Sequence, residues 1–414
     1  MDVIKKKING VDITYIDIDK FKSVCGLICF KTKYEESMIV TRNYIKGLLI
    51  HSTKKYPTNR DLNINCLENY DAYYASNLRC DGNYLTNMFL FRFLDDRYID
   101  EKIISDSLDT FNEIIFNPNV LDNKFNENEF KLAYQKFKSK IEREKENARF
   151  YANKKMDEQM GDGTPLNYYP TIEMLEKIKN EDVYNDYLDM INNSEVSIYI
   201  AGHNASKINI DKLLSNIKTK RCNIDLKVKT KINNKMVSKK EKYDGLQSIL
   251  SVGIKLEGLT KYESSYVVPV FNGILGSGAS SRLFNEVREK NSLCYYCFSK
   301  YDKDYDIIRI TSGIEYQNYD KTLSLIKEVI NSMNKVTEDE VNTVINDISS
   351  ALMESLDELS NYVIPCYINE LYEEENTLDK IEKIKKVTKD DVEKIFSKIK
   401  ITDSFFLEGG KTGE

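Results

Sequence analysis

Arg288 and Tyr295 are the residues whose types and spacing point most directly to chemistry. They fall in one stretch, Gly273 to Tyr296, which reads GILGSGASSRLFNEVREKNSLCYY. Guanidinium and phenol both donate hydrogen bonds, so a pair of them can hold a carbonyl or an oxygen that gains negative charge during a reaction. The elements around the pair follow from the pattern. Gly276 and Gly278 leave a loop whose backbone can approach a ligand or another chain closely. Ser280 and Ser281 offer helix caps, and Leu283, Phe284 and Val287 form a buried helical stripe that leaves Arg288 off the stripe in the last turn. Asn291 and Ser292 end the helix. Leu293 to Phe298 reads as a strand, so Arg288 and Tyr295 flank one turn and can face the same space. In that strand Cys294 and Cys297 make a C-x-x-C, but three-residue spacing on a regular strand sends them to opposite faces, which predicts packing thiols.

The string G-x-G-x-S-S-R-L-F-x-x-V-R-E-K-x-x-L-x-Y resembles the second-half signature of the insulinase, pitrilysin and mitochondrial-processing-peptidase family, whose active members are zinc endopeptidases. The resemblance implies that Arg288 and Tyr295 are the substrate-holding arginine and tyrosine of that signature. It also implies two similar halves that close as a clamshell around a peptide-binding chamber.

Active members of that family carry H-x-x-E-H on the first helix of the first half: two histidines a turn apart for one zinc, with a glutamate that takes a proton from the bound water. The only histidines here are His51 and His203, so the motif is absent from the chain. Aligning the turn and proline of Ser52 to Pro57 puts Asn43 and Gly47 where the ligands would be and Lys46 where the base would be. An ammonium there repels a dication and cannot serve as a carboxylate base. The family's third ligand is a downstream glutamate, and the long charged helix offers too many to single one out. No serine or cysteine triad setting surrounds either histidine, and the Gly276 loop lacks the lysine of a phosphate loop.

With 414 residues the chain exceeds one ordinary core and predicts two domains. A net charge of -6 argues against a nucleic-acid partner, and no apolar run is long enough to span a bilayer. The first residues alternate apolar and polar positions, which is not the pattern of an export leader. Eight cysteines in such a chain read as reduced thiols in the cytoplasm.

The pattern along the chain predicts strands at Val11–Ile16, Ser23–Lys31, Tyr73–Ala75 and Tyr84–Phe93, helices at Thr41–Ile50, Leu62–Ala72 and Lys102–Ile115, and one long helix from Phe125 to Met160. Short helices then lead to a strand at Val196–Ala201. A basic passage follows, with Lys227, Lys229 and Lys231 on alternate positions, suited to an exposed linker with an edge strand. From Gln247 the pattern restarts. Lys46–Leu49 corresponds to Asn272–Leu275, Ala72–Ala75 to Cys294–Cys297, Glu176–Lys179 to Glu382–Lys385, and Ser197–Ile200 to Ser404–Leu407. Matches in preserved order indicate a duplication. The expected fold is α+β: two homologous domains, each a mostly antiparallel sheet covered by helices, over 1–215 and 246–414 with a linker at 216–245.

The function expected from this reading is that of a zinc-less, catalytically inactive subunit of a heteromeric metallopeptidase. It binds no metal or cofactor itself, and it lends Arg288 and Tyr295 to the peptide substrate of a homologous H-x-x-E-H partner that holds the zinc. The same surfaces would serve a homodimer when that partner is absent. The alternative is a non-catalytic scaffold or peptide-binding protein of the same fold.

Overall fold

The computed structural model describes residues 2–99, 102–228, 230, 236–245 and 247–409. Lys229 and Lys231 of the basic passage lie outside them. In chain order the strands are β1 (Asp2–Ile8), β2 (Val11–Asp17), β3 (Ser23–Lys33), β4 (Tyr73–Asp81), β5 (Tyr84–Leu94), the short β6 (Val120–Leu121) and β7 (Lys124–Phe125), β8 (Glu195–Gly202), β9 (Val237–Lys242), β10 (Ser248–Leu256), β11 (Cys294–Asp302), β12 (Ile307–Ile314) and β13 (Ile399–Glu408). Two compact units contain them. The first comprises Met1–Ile141, Pro170–Leu226 and Ser355–Asn376, and the second comprises Glu142–Tyr169, Lys227–Glu354 and Thr377–Glu414.

The six-stranded sheet of the first unit runs β1-β2-β8-β3-β5-β4, and the five-stranded sheet of the second runs β11-β12-β10-β13-β9. Apart from β1, the two orders are the same when one is reversed. In each, one parallel pair (β2 with β8, β9 with β13) stands beside antiparallel neighbours. Every segment matched in the sequence repeat occupies the equivalent place: Ala72–Ala75 and Cys294–Cys297 open β4 and β11, and Ser197–Ile200 and Ser404–Leu407 lie in β8 and β13. β1 is an addition the alternation did not predict. It is an exposed outer strand whose Lys5, Lys6 and Lys7 suit an unpaired edge.

Both central strands are buried on both faces. Val24, Ile28 and Phe30 of β3 enter the main core of the first unit, while Cys25, Leu27 and Cys29 face a second apolar cluster containing Leu359, Val363 and Tyr367. That second cover is the helix Ser360–Leu371, from far along the sequence. In the second unit Leu250, Val252 and Ile254 face the main core, and Ile249 faces Ala152, Met156 and Met160 on the helix Ala148–Met160. Each sheet is thus backed by a helix from the other half of the chain, so the contiguous halves expected from the sequence exchange one helical segment in each direction.

The same exchange explains why the long helix expected over Phe125–Met160 is two helices. Glu127–Glu146 stops at Asn147, whose extended backbone (ψ 102°) breaks the run. The Asn147 side chain accepts a hydrogen bond from the Phe150 amide at 3.0 Å and caps Ala148–Met160. Among the described residues no helix is long and apolar enough to cross a membrane.

Candidate functional site

The residues aligned with the zinc motif lie in the first unit on the helix Met38–Leu49. Neighbouring side chains fix that helix. Arg42 is fully buried and pairs with Asp186 at 2.7 Å and Asp189 at 3.1 Å, and Tyr44 stacks on Phe130 with ring centroids 4.9 Å apart. The Asn43 amide donates to the Ile39 carbonyl of its own helix at 2.7 Å, so it is turned to the backbone. A side-chain carbon built on Gly47 would meet nothing within 4 Å, so a space lies open where a ligand imidazole would project.

That space is part of a recess of about 170 Å3 lined by Asn43, Tyr44, Lys46, Gly47, His51, Glu129 and Lys136, among others. Glu129 is the glutamate of the Glu127–Glu146 helix that faces the motif positions, which the sequence by itself did not single out. His51 Nδ1 lies 3.9 Å from Glu129 Oε2, and its Nε2 lies 3.3 Å from Lys136 Nζ. An ammonium only donates, so Nε2 accepts and the neutral ring carries its proton on Nδ1, toward the carboxylate. Burial, and then the Lys136 charge, push the His51 pKa below its ordinary value, so the ring is neutral at pH 7. Zinc needs three protein ligands with open lone pairs. Here one ligand position holds an amide committed to backbone, another has no side chain, and the base position holds an ammonium, so these residues do not fit zinc. Among the described residues no group of three or more His, Cys, Asp and Glu side chains is arranged to hold a metal ion.

The second place is the stretch Gly273–Tyr296 in the second unit. Gly276 is required by close approach: a side-chain carbon there would lie 2.7 Å from Leu283 Cδ1 and 2.8 Å from the Ser299 amide nitrogen. Its freedom thus serves packing against β11. Gly278 opens onto empty space, with extended backbone. Neither Ser280 nor Ser281 caps the helix with its side chain; the Ser281 hydroxyl turns back to donate to the Gly278 carbonyl at 2.5 Å.

Arg282, to which the sequence assigned no role, carries the local architecture. Its Nε and Nη2 reach the two Glu340 carboxylate oxygens at 2.7 and 2.8 Å. Its Nη1 donates to the Ser332 carbonyl at 2.6 Å, and Nη2 donates also to the Lys335 carbonyl at 2.9 Å. One guanidinium therefore closes the end of the helix Tyr319–Ser332 and ties it to the capping carboxylate of the helix Glu338–Ser355. Hydrogen bonding from Arg282 holds the Glu340 carboxyl down at about 2.

Leu283 and Val287 are fully buried, as their spacing predicts, and Arg288 leaves the helix Phe284–Lys290 with its side chain 44% exposed. Its guanidinium sits 4.9 Å from the Phe284 ring centroid and 3.6 Å from Glu289. The chain turns at Ser292 (φ +51°), whose amide bonds the Arg288 carbonyl at 2.9 Å. Three residues later Tyr295 is 63% exposed. Cys294 pairs with Ile314 and Tyr296 with Gly313, so Tyr295 is the extra residue of a β-bulge. A bulge re-aims a side chain out of the regular strand, which is how this tyrosine stands free beside the turn that ends in Arg288.

The bulge also corrects the expectation for the cysteines. One extra residue shifts the alternation, and Cys294 and Cys297 both pack on the main core of the second unit, with their thiols hydrogen-bonded. That hydrogen bond lowers the Cys294 pKa and raises that of buried Cys297. All eight cysteines are free thiols.

Of the two places, the stretch Gly273–Tyr296 lies within a segment that matches a known protein family. Residues 177–348 match the family model described as the peptidase M16 inactive domain. That match covers 172 of the 414 residues, and over them the chain resembles the M16 inactive domain. The Bacillus subtilis (strain 168) protein named "Probable inactive metalloprotease YmfF" is 23% identical over 419 residues, spanning 98% of this chain and 97% of the relative. A conserved protein from Enterococcus faecalis V583 superposes with a TM-score of 0.92 at 23% identity, with both chains fully covered. The peptidase M16 inactive domain from Pseudomonas fluorescens does so with 0.81 at 13%, again over all of both chains. The M16 (insulinase-family) resemblance found in the signature is thereby upheld, and the α+β fold of two duplicated sheet-and-helix units is shared with M16 structures.

Proposed function

We propose that this M16 homologue is the zinc-less subunit of a heteromeric metallopeptidase. In this reading it places Arg288 and Tyr295 on the peptide held at the zinc site of an H-x-x-E-H partner. The observation that carries the proposal is the display of Tyr295: a large aromatic side chain lifted out of the strand by a bulge, more than half exposed, one turn from Arg288. Exposing a tyrosine ring forfeits its burial energy, so an internal packing role does not account for it. The first unit, with Asn43, Lys46 and Gly47 in the motif positions, leaves the zinc and the activated water to the partner. The phenol and guanidinium then donate to substrate carbonyls, or to the oxygen that becomes negative during attack, in a site from which water is excluded. The free cysteines suit a cytoplasmic complex, and a homodimer would use the same surfaces when the partner is missing.

The test is co-expression with an H-x-x-E-H homologue from the same genome. Removing one such donor typically costs about a hundredfold to a thousandfold in turnover. Tyr295→Phe deletes only the hydroxyl and Arg288→Lys only the planar fork, so each is expected to lower peptide hydrolysis by at least about tenfold while assembly and thermal stability hold. Full activity of the Tyr295→Phe complex, or failure to co-elute with any such homologue, would leave the chain a scaffold.

A further inference from the structure

The bulge that frees Tyr295 also brings two thiols within reach of each other. On β11 Cys294 stands opposite Ile314 and Cys297 opposite Ser312, so residues three apart in sequence are only two register positions apart along the strand. At the usual strand rise that separation is about 6.6 Å, against about 10 Å for the same residues on a regular strand. Disulfide-linked Cα atoms usually lie about 4.4 to 6.8 Å apart, so the bulge puts this pair at the outer limit of bridging distance. Both side chains pack on the main core of the second unit, and their thiols are hydrogen-bonded to each other and to the Ser312 hydroxyl. Access is unequal: Cys294 is half-buried, whereas Cys297 is 3% exposed. Hydrogen bonding from Cys297, then from Ser312, together with the Arg288 charge, lowers the Cys294 pKa. A reachable thiol of lowered pKa, backed by a second thiol that solvent does not reach, is the arrangement of an attacking and a resolving cysteine.

We propose that Cys294 and Cys297 form a peroxide-reactive dithiol that closes to a disulfide across the bulge at Tyr295. The Cys294 thiolate attacks one oxygen of hydrogen peroxide; the O–O bond breaks, hydroxide leaves, and a sulfenic acid forms on Cys294. The Cys297 sulfur then attacks the Cys294 sulfur. The S–S bond forms, the S–O bond breaks, and the departing hydroxide takes the Cys297 proton to become water. The two thiols together give up two electrons, which reduce one peroxide to two waters, so no other oxidant is needed. The bridge spans Tyr295 and Tyr296. Because the open pair sits at the outer limit of bridging distance, closure draws β11 together at the bulge and moves Tyr295. The oxidation state of the pair thereby controls how Tyr295 is displayed.

The test uses the isolated full-length chain and needs no partner, so it is independent of the metallopeptidase reading. Reduced protein is treated with hydrogen peroxide, the remaining thiols are blocked with iodoacetamide in urea, and tryptic peptides are weighed. The expected result is that the peptide Asn291–Lys300 loses two hydrogens and takes up no label, and that dithiothreitol restores both thiols. Cys25 and Cys29 are the internal control and should stay fully labelled. Both are buried, and on β3, which has no bulge, they lie about 13 Å apart. Cys297→Ala should stop the chemistry at a sulfenic acid that dimedone traps on Cys294, and Cys294→Ala should leave Cys297 unoxidised. Amide hydrogen exchange of wild-type protein gives a reading without any variant: Tyr295 and Tyr296 should lose protection when the bridge closes. Two labelled thiols at a peroxide dose that consumes added N-acetylcysteine, a lasting sulfenic or sulfinic acid on Cys294 of the wild type, or a bridge from Cys294 to any other cysteine would each overturn the proposal. Unchanged exchange around Tyr295 in the bridged protein would overturn its link to the bulge.

Discussion

Arg282→Met is the perturbation with the most to say about how the signature stretch works. The guanidinium makes two short bonds to Glu340 and bonds to the Ser332 and Lys335 carbonyls, with 18% of its side chain and 29% of the Glu340 side chain exposed. The drop of the Glu340 carboxyl from its ordinary 4.5 to about 2, caused first by Arg282, corresponds to roughly 3 kcal/mol. Solvent screening at a part-exposed carboxylate reduces that to about 1 to 2 kcal/mol. Adding the two carbonyl bonds, Arg282→Met should cost about 2 to 3 kcal/mol, and Glu340→Gln about 1 to 2 kcal/mol. Because the folded-state pKa is depressed, the contribution is complete above pH 4.5 and is lost as pH falls toward 2. The assay is a double-mutant cycle by urea unfolding, followed by far-UV circular dichroism and by tyrosine fluorescence, since the chain has 28 tyrosines and no tryptophan. A coupling of about 1 to 2 kcal/mol at pH 7 that fades near pH 2 is expected. Additivity within about 0.5 kcal/mol at pH 7, or a coupling that survives at pH 2, would refute the clamp.

Two further outcomes follow from buried groups. Arg42→Met should cost the first unit about 3 to 5 kcal/mol in urea unfolding, because it leaves Asp186 without its cation in a place where burial already raises that carboxyl's pKa; pairing it with Asp186→Asn should recover part of the loss. Iodoacetamide should modify Cys294 well before Cys25, Cys29 or Cys297 in peptide mass spectrometry. Cys294 is part-exposed with a lowered pKa, while burial pushes the Cys25 thiol up to about 12 and holds Cys29 higher than usual, and the hydrogen bond with Cys294, followed by burial, raises Cys297.

The duplication, the fold class and the lack of a zinc motif were legible in the chain itself. Matched segments such as Ser197–Ile200 and Ser404–Leu407 record a repeated strand order directly, and two histidines cannot build H-x-x-E-H. Leu283 and Val287 are buried and Arg288 is exposed, as helical spacing requires, because that spacing is a local property of the backbone. Tertiary structure decided what local period does not encode. Cys25, Leu27 and Cys29 read as the outer face of β3 until the helix Ser360–Leu371 covers them, and only packing from distant sequence supplies that cover. The break at Asn147 is hidden because Phe130, Tyr134, Phe137 and Ile141 keep helical spacing up to it. The bulge at Tyr295 has no signature in the residues; it exists in the pairing of β11 with β12, and it both frees the tyrosine and brings Cys294 and Cys297 to one face. Arg282 gained its role, and Glu129 and Lys136 gained His51, only when helices far apart in sequence came together, because a contact between elements is fixed by how they pack.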